Sequence, residues 1–308
     1  MEEKQPLALS QRNLTIFTAA MGVLLISSIV IFGFRILGLL AVSYAVAIAF
    51  ELLFAKGRKI PIDRGWMVTP LVLVLILPPT APYWLAGVAV GFGLLFGKMI
   101  FGGTGKNIFN PAAVGYLFAL VSFPQQMSTM WLHPDTDVVA SASPLIDLNA
   151  GTFGYSVQDL LLGFVPGTIG ETFRIGIIVL GIALIILKVI DWRIPITFLA
   201  AVFLLTGLGY LIMPDDFVSP FYSLITGGLL FGAFFMATDP ATSPQFPWAK
   251  VFYGIGLAFI TVLIRNFAAF PEGVIFAIII MNAIGTLFDS YFEKRQPVKA
   301  VEETEVSA

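Results

Sequence analysis

Two short strings bring together residue types able to hold a polar ligand inside an apolar protein. The first runs Gly102-Gly103-Thr104-Gly105-Lys106-Asn107-Ile108-Phe109-Asn110-Pro111-Ala112. Its glycines allow turns closed to other residues, and Asn110 is placed to cap a helix that Pro111 begins. A helix start with glycine-rich backbone and two nearby amides, Asn107 and Asn110, offers fixed donors to a polar or anionic group. The same features serve an ordinary capped turn, and the residues alone weigh the two readings equally. The second string is Met236-Ala237-Thr238-Asp239-Pro240-Ala241-Thr242-Ser243-Pro244. A carboxylate at the edge of an apolar run is costly unless satisfied, which makes Asp239 a candidate site residue. Its bland role is to cap a segment that Pro240 opens.

Other candidates read as structural. Pro166-Gly167-Thr168-Ile169-Gly170-Glu171-Thr172 is a tight turn whose carboxylate suits the start of a following helix. Asp137 to Leu145, small and rich in hydroxyls, reads by itself as an exposed loop. Glu51 and Lys98, at the ends of apolar runs, are expected to snorkel to an interface. The chain has no cysteine and one histidine, His133, which has no partner at ligand spacing. No metal set is expected, and any electrons passing through must ride an organic cofactor.

These strings sit in a chain of 308 residues that is 58% hydrophobic and 12% charged, with mean hydropathy +0.92. Such a composition belongs in a lipid bilayer, and a net charge of -2 with no clustered basic face gives no case for nucleic acid. Apolar runs fall at about 14–32, 36–54, 66–78, 83–101 and 108–122, then at about 174–190, 195–213, 219–237, 250–266 and 273–290. Ten spanning helices are therefore expected. With the N-terminus cytoplasmic, only Arg35, Arg174 and Arg265 of the 17 basic residues fall outside. Both termini then lie inside, and the asparagines and Asp239 face the same side.

Five spans per half is the condition for an inverted repeat. Pro78-Pro79-Thr80-Ala81-Pro82 is echoed by Pro240-Ala241-Thr242-Ser243-Pro244, an offset of 162 residues from Pro78 to Pro240. At the same offset Phe109-Asn110-Pro111 meets Pro271-Glu272-Gly273. The expected divisions are a first repeat over 1–122, an extracytoplasmic segment over 123–173, a second repeat over 174–290 and a polar cytoplasmic tail over 291–308. The N-terminus shows no removable signal peptide, so the first run is expected to be retained.

Together with Trp192-Arg193-Ile194-Pro195 and Pro271-Glu272-Gly273-Val274, these strings resemble, in order and over most of the chain, one family: the D subunits of Rnf complexes (RnfD). More distantly the chain is similar to the B subunit of the sodium-pumping NADH:quinone reductase. The resemblance implies an all-α integral membrane protein of two inverted five-helix repeats, similar to urea channels. It implies FMN held as a phosphoester on the last hydroxyl of a motif matched here by Asp137-Val138-Val139-Ala140-Ser141-Ala142-Ser143, which places attachment at Ser143 with Ser141 as fallback. This string departs from the family pattern at Ala140, Ser141 and Ser143. A second, non-covalent flavin, riboflavin, is implied near Asn107, Asn110, Thr238 and Asp239. The implied role is electron transfer within ferredoxin:NAD oxidoreduction coupled to Na+ or H+ movement across the inner membrane. Implied partners are the A, B, C, E and G proteins of the Rnf complex and a flavin transferase. A channel or transporter for a small polar solute is the alternative that the repeat architecture allows.

Overall fold

The computed structural model describes residues 10–59, 62, 64–128, 131–134, 139–140, 143–152, 154–268 and 272–294. Helices α1 (Gln11–Phe32) and α2 (Arg35–Arg58) open the chain. The Ser10 hydroxyl caps α1 by accepting from the Asn13 amide, and Gly33 at φ 83° turns the chain out of it. A 3-10 turn, Arg64–Met67, leads into α3 (Val68–Ile76), which is buried from Thr69 to its end. Then follow α4 (Tyr83–Leu94), extended by a π-helical turn over Leu95–Met99, and α5 (Pro111–Ser122).

In the second half, α9 (Arg174–Ile186) and α10 (Arg193–Ile212) precede a broken element. Its pieces are α11 (Pro220–Ile225) and α12 (Leu229–Phe231), the latter running into a second π turn over Gly232–Met236. The break falls where Gly227 takes φ +63°. Long helices α13 (Pro247–Phe267) and α14 (Val274–Glu293) close the described chain.

Five of these helices, α1, α2, α10, α13 and α14, are long and apolar enough to cross a bilayer. Shorter apolar helices occupy four of the remaining runs, and the broken element of α11, α12 and the second π turn occupies the run at about 219–237. Their shortness has a physical basis in breaks at proline and glycine, whose freed backbone groups must find partners inside the protein. Those partners are present. Arg35 donates to the carbonyls of Pro79, Thr80 and Ala81 at 2.8–3.1 Å, closing the turn after α3. Arg265 donates to the Ser223 and Thr226 carbonyls at 2.8 and 3.2 Å, closing the break after α11.

The two halves use the same packing partners. In the first, α2 packs on α3 and α4, and α4 on α5; in the second, α10 packs on α11 and α13, and α13 on α14. The halves meet through α1 against α9 and α5 against α14. Backbone-to-backbone approach of α4 and α5 depends on glycine: a Cβ at Gly93 would strike the Pro111 carbonyl oxygen, and one at Gly115 the Ala89 carbonyl oxygen.

The segment between the halves is not a plain loop. It holds α6 (Pro124–Ser128), an antiparallel pair β1 (Trp131–Leu132) and β2 (Val139–Ala140), α7 (Pro144–Asn149) and α8 (Val157–Leu162). Ser143, Pro144 and Leu145 are buried, which corrects the exposed-loop expectation for that part of the segment. Proline at the first helical position starts α7, and Leu145 packs into the break beside Gly227. The 166–172 turn also differs from expectation. It threads inward, its Ile169 and Gly170 amides donating to the Leu77 and Leu75 carbonyls freed at the end of α3. Glu171 is buried and accepts from the Thr168 amide at 3.1 Å, while α9 starts only at Arg174.

Candidate functional site

A cleft enclosing about 700 Å³, counted to its open mouth, runs between the two halves. Its walls come from α1, α3, the glycine-rich loop before α5 and the turn after the second π-helical segment. Lys98, Thr104, Asn107, Asn110 and Asp239 all face it. The two sequence strings, more than a hundred residues apart, therefore meet in one place.

Asn110 caps α5: its Oδ1 accepts from the Ala112 and Ala113 amides at 3.0 and 3.2 Å. Its Nδ2 donates to the Met236 carbonyl at 3.4 Å, joining the two strings directly. Asn107 folds its own loop, accepting from the Gly105 amide at 3.2 Å and donating to the Phe109 carbonyl at 3.1 Å. Asp239 closes the opposite turn, its Oδ1 accepting from the Ala241 amide at 3.0 Å and its carbonyl from the Thr242 and Ser243 amides. Capping and lining thus coexist in the same three residues. Thr238 is placed differently: its hydroxyl donates to the Phe234 carbonyl at 2.6 Å, and it is not part of the cleft wall.

Two features of the cleft lie outside what the strings announce. Lys98, 3% exposed, lies in the first π turn and pairs with Glu51 of α2 at 2.5 Å. The pair is internal, so snorkelling to an interface is not what satisfies these charges. A charge in an apolar interior persists only when paired, and π-helical turns recur at functional positions. The second feature is the Thr104 hydroxyl, which lies in the cleft wall, shielded from solvent and without a hydrogen-bond partner. An orphaned buried hydroxyl is costly, and a polar ligand in the cleft would relieve it.

A smaller cavity of about 340 Å³ lies on the far side of the aromatic pair Phe231 and Phe235, whose ring centroids are 5.2 Å apart. Phe235 lines the cleft and Phe231 the cavity. Glu171, Glu272, Tyr116, Thr168 and Gly228 face this second space. Glu272 accepts from the Gly228 amide at 3.3 Å, and Arg174 and Arg265 lie buried nearby, the Nε of each without a hydrogen-bond partner. Both arginines, counted by charge on the outer side, turn inward: Arg265 spends Nη1 and Nη2 on backbone carbonyls, whereas Arg174 spends only Nη1, on the Leu160 and Thr172 carbonyls, and its buried Nη2 has no partner.

Ser143 lies at the start of α7, 5% exposed, and its hydroxyl does not cap that helix. Ser141 and Asp137 lie outside the described residues. Nearby, burial and the charge and hydrogen bond of Asp147, at 3.1 Å, push the Tyr155 hydroxyl up to about 12. Between α9 and α10, burial would raise Asp191. Hydrogen bonds from Lys250 at 2.8 Å and the Arg193 amide at 3.0 Å, with both cations, hold it below its ordinary value. Among the described residues there is no cluster of side chains able to hold a metal ion.

The NQR2, RnfD, RnfE family model matches residues 5–297. The chain is 35% identical to the D subunit of the Na(+)-translocating ferredoxin:NAD(+) oxidoreductase complex of Acetobacterium woodii, over 86% of this chain and 83% of that one. It is 32% identical to the D subunit of the ion-translocating oxidoreductase complex of Shewanella frigidimarina, covering 86% and 87%. The B subunit of the Na(+)-translocating NADH-quinone reductase of Azotobacter vinelandii is 37% identical over 82% of this chain, which spans 65% of that relative's length. With its apolar helices and a family match over nearly the whole sequence, this multi-pass membrane protein belongs to the NQR2, RnfD, RnfE family.

Proposed function

We propose that this chain is the D-type membrane subunit of an Rnf-like ion-translocating oxidoreductase, carrying electrons across the inner membrane between two flavins. The observation that carries the reading is the convergence of Thr104, Asn107, Asn110 and Asp239 on one cleft whose threonine hydroxyl lacks a partner. The names of the D-type relatives support it. In this reading ten spans form two inverted five-helix repeats over 1–122 and 174–290. The matching packing partners of the halves support that division. Both termini are cytoplasmic, 123–173 is extracytoplasmic and 291–308 is a cytoplasmic tail.

A bound flavin supplies one- or two-electron transfer. The chain's own residues supply the fit. In the cleft, Thr104 offers a hydroxyl, Lys98 a cation held in place by Glu51, and the loop around Asn107 a rigid backbone edge. Leu14, Phe17 and Phe235 supply an apolar floor against which a planar ring can pack. On the outer side FMN is attached at Ser143, or at Ser141, by a flavin transferase. Ser143 is chemically suitable because its hydroxyl is not consumed by a helix cap, and its burial means that attachment precedes or displaces the packing of α7. The A, B, C, E and G proteins of the complex would supply the iron–sulfur centres that a chain without cysteine cannot hold, linking ferredoxin to NAD and to Na+ or H+ movement.

The test is direct. Chain co-expressed with a flavin transferase, denatured and run on a gel, is expected to fluoresce, and Ser143→Ala to abolish the signal. Persistence in that variant moves attachment to Ser141; a dark wild-type band removes covalent FMN. A solute channel is the second reading, favoured by the two cavities facing each other across Phe231 and Phe235. Solute flux into liposomes by the lone chain without flavin would select it.

A further inference from the structure

We infer that Asn282 is the positioning residue of the cleft, tying the helix start at Asn110 to the turn that carries Asp239. This rests on the reading of the cleft as a flavin site. Asn282 lies within α14, is 0% exposed, and has buried apolar neighbours on its own helix in Ile278, Met281 and Gly285. Its Oδ1 accepts from the Asn110 amide at 3.0 Å. Its Nδ2 donates to the Tyr253 hydroxyl at 2.8 Å and to the Thr242 carbonyl at 3.3 Å. Both amide hydrogens and the oxygen are engaged.

The need for such a residue follows from where the backbone runs. The amide of Asn110 has no partner within the helix it caps, and a buried orphan is costly. The Asn110 side chain cannot fix the helix start against the other half on its own. Its oxygen is spent on α5, and its one bond across, to Met236, is long at 3.4 Å. Thr242 belongs to the turn that Asp239 organises, because its amide donates to the Asp239 carbonyl at 3.1 Å. One buried side chain on α14 therefore sets the separation of the two cleft walls, and Tyr253 of α13 sets the orientation of that side chain. A polar side chain at this depth is retained only with its partners in place.

The experiment compares the full membrane-embedded assembly carrying wild-type chain with Asn282→Leu and Tyr253→Phe. It reads amide hydrogen exchange by segment together with the amount and midpoint potential of non-covalently retained flavin. Asn282→Leu is expected to raise exchange in 105–113 and 240–246 about 10-fold and weaken flavin retention by a similar factor, the scale set by losing a buried hydrogen-bond partner. Exchange in α7 and α8 and covalent flavin at Ser143 stay at wild-type levels. Tyr253→Phe, which removes only a hydroxyl, is expected to move the same readouts about 3-fold and keeps the test decisive if Asn282→Leu does not assemble. Wild-type exchange in both segments, or loosening spread evenly through the chain, overturns the inference. Localised loosening in a protein that holds no non-covalent flavin leaves Asn282 in its role and removes the flavin reading.

Discussion

The cleft and the smaller cavity occupy equivalent places, yet their chemistry is opposite. The offset that carries Pro78 to Pro240 also carries Asn110 to Glu272, Ala112 to Val274 and Thr69 to Phe231. Asn110, Ala112 and Thr69 line the cleft while Glu272, Val274 and Phe231 line the cavity, which supports the proposed repeat of one arrangement of helix starts and broken helices. In the cleft the helix-start residue is a neutral amide, one ion pair is fully made, and a hydroxyl is left without a partner. In the cavity the equivalent residue is a carboxylate beside a second carboxylate, with two buried guanidinium groups tied to backbone carbonyls. The larger space, with its unpartnered hydroxyl, is the one proposed to receive a ligand. The smaller one gathers two carboxylates with two guanidinium groups nearby at the ends of helices, an arrangement suited to a structural clamp.

Breaking that arrangement should produce the largest effect. Arg265→Met removes a buried cation and strands the Ser223 and Thr226 carbonyls and the nearby Glu272. A loss of about 3–5 kcal/mol is expected, measured by thermal or denaturant unfolding in detergent. A loss no larger than that of a surface substitution would end the view of the cavity as a structural clamp. Gly115→Ala, which drives a methyl into the Ala89 carbonyl oxygen, is expected to cost about 1–3 kcal/mol and separate α4 from α5.

On the proposed reading of the cleft as a flavin site, changes there should cost the fold less and the ligand more. Asn110→Ala loses a helix cap, about 1 kcal/mol, and also the contact with Met236, so flavin retention falls with stability. Thr104→Val is the sharper probe. It removes a hydroxyl that no protein group uses, so unfolding stays unchanged while flavin affinity falls about 10-fold. Unchanged affinity would show that the hydroxyl does not meet the ligand.

The smallest effect is expected at Asp191. Its carboxyl is held below the ordinary value in the folded chain, so its stabilisation is present above the unfolded value and fades as pH falls through the folded one. Asp191→Asn should therefore matter at neutral pH and become silent in acid, read as the pH dependence of the unfolding midpoint.

Much of the scaffold is legible in the sequence because lipid imposes a strict rule on it. The apolar runs at about 14–32, 36–54 and 250–266 coincide with α1, α2 and α13, since a spanning helix must satisfy its own backbone over its whole length. The meeting of Asn107, Asn110 and Asp239 was also legible, through the distribution of lysine and arginine along the chain. The buried ion pair of Lys98 and Glu51 was not. A basic residue at the end of an apolar run looks the same whether it reaches an interface or a partner 47 positions away.

Residue types alone thus determined an apolar helical chain, punctuated by proline and glycine, with two polar strings brought to one side. Tertiary structure decided which polar groups are already satisfied. Asn282 has no motif around it, and Glu171 and Arg174 lie some ninety residues before Arg265 and Glu272. Their roles depend on hydrogen bonds between residues far apart, such as that from Asn110 to Asn282 across 172 positions. No local pattern encodes such a bond, because it exists only once both halves have packed.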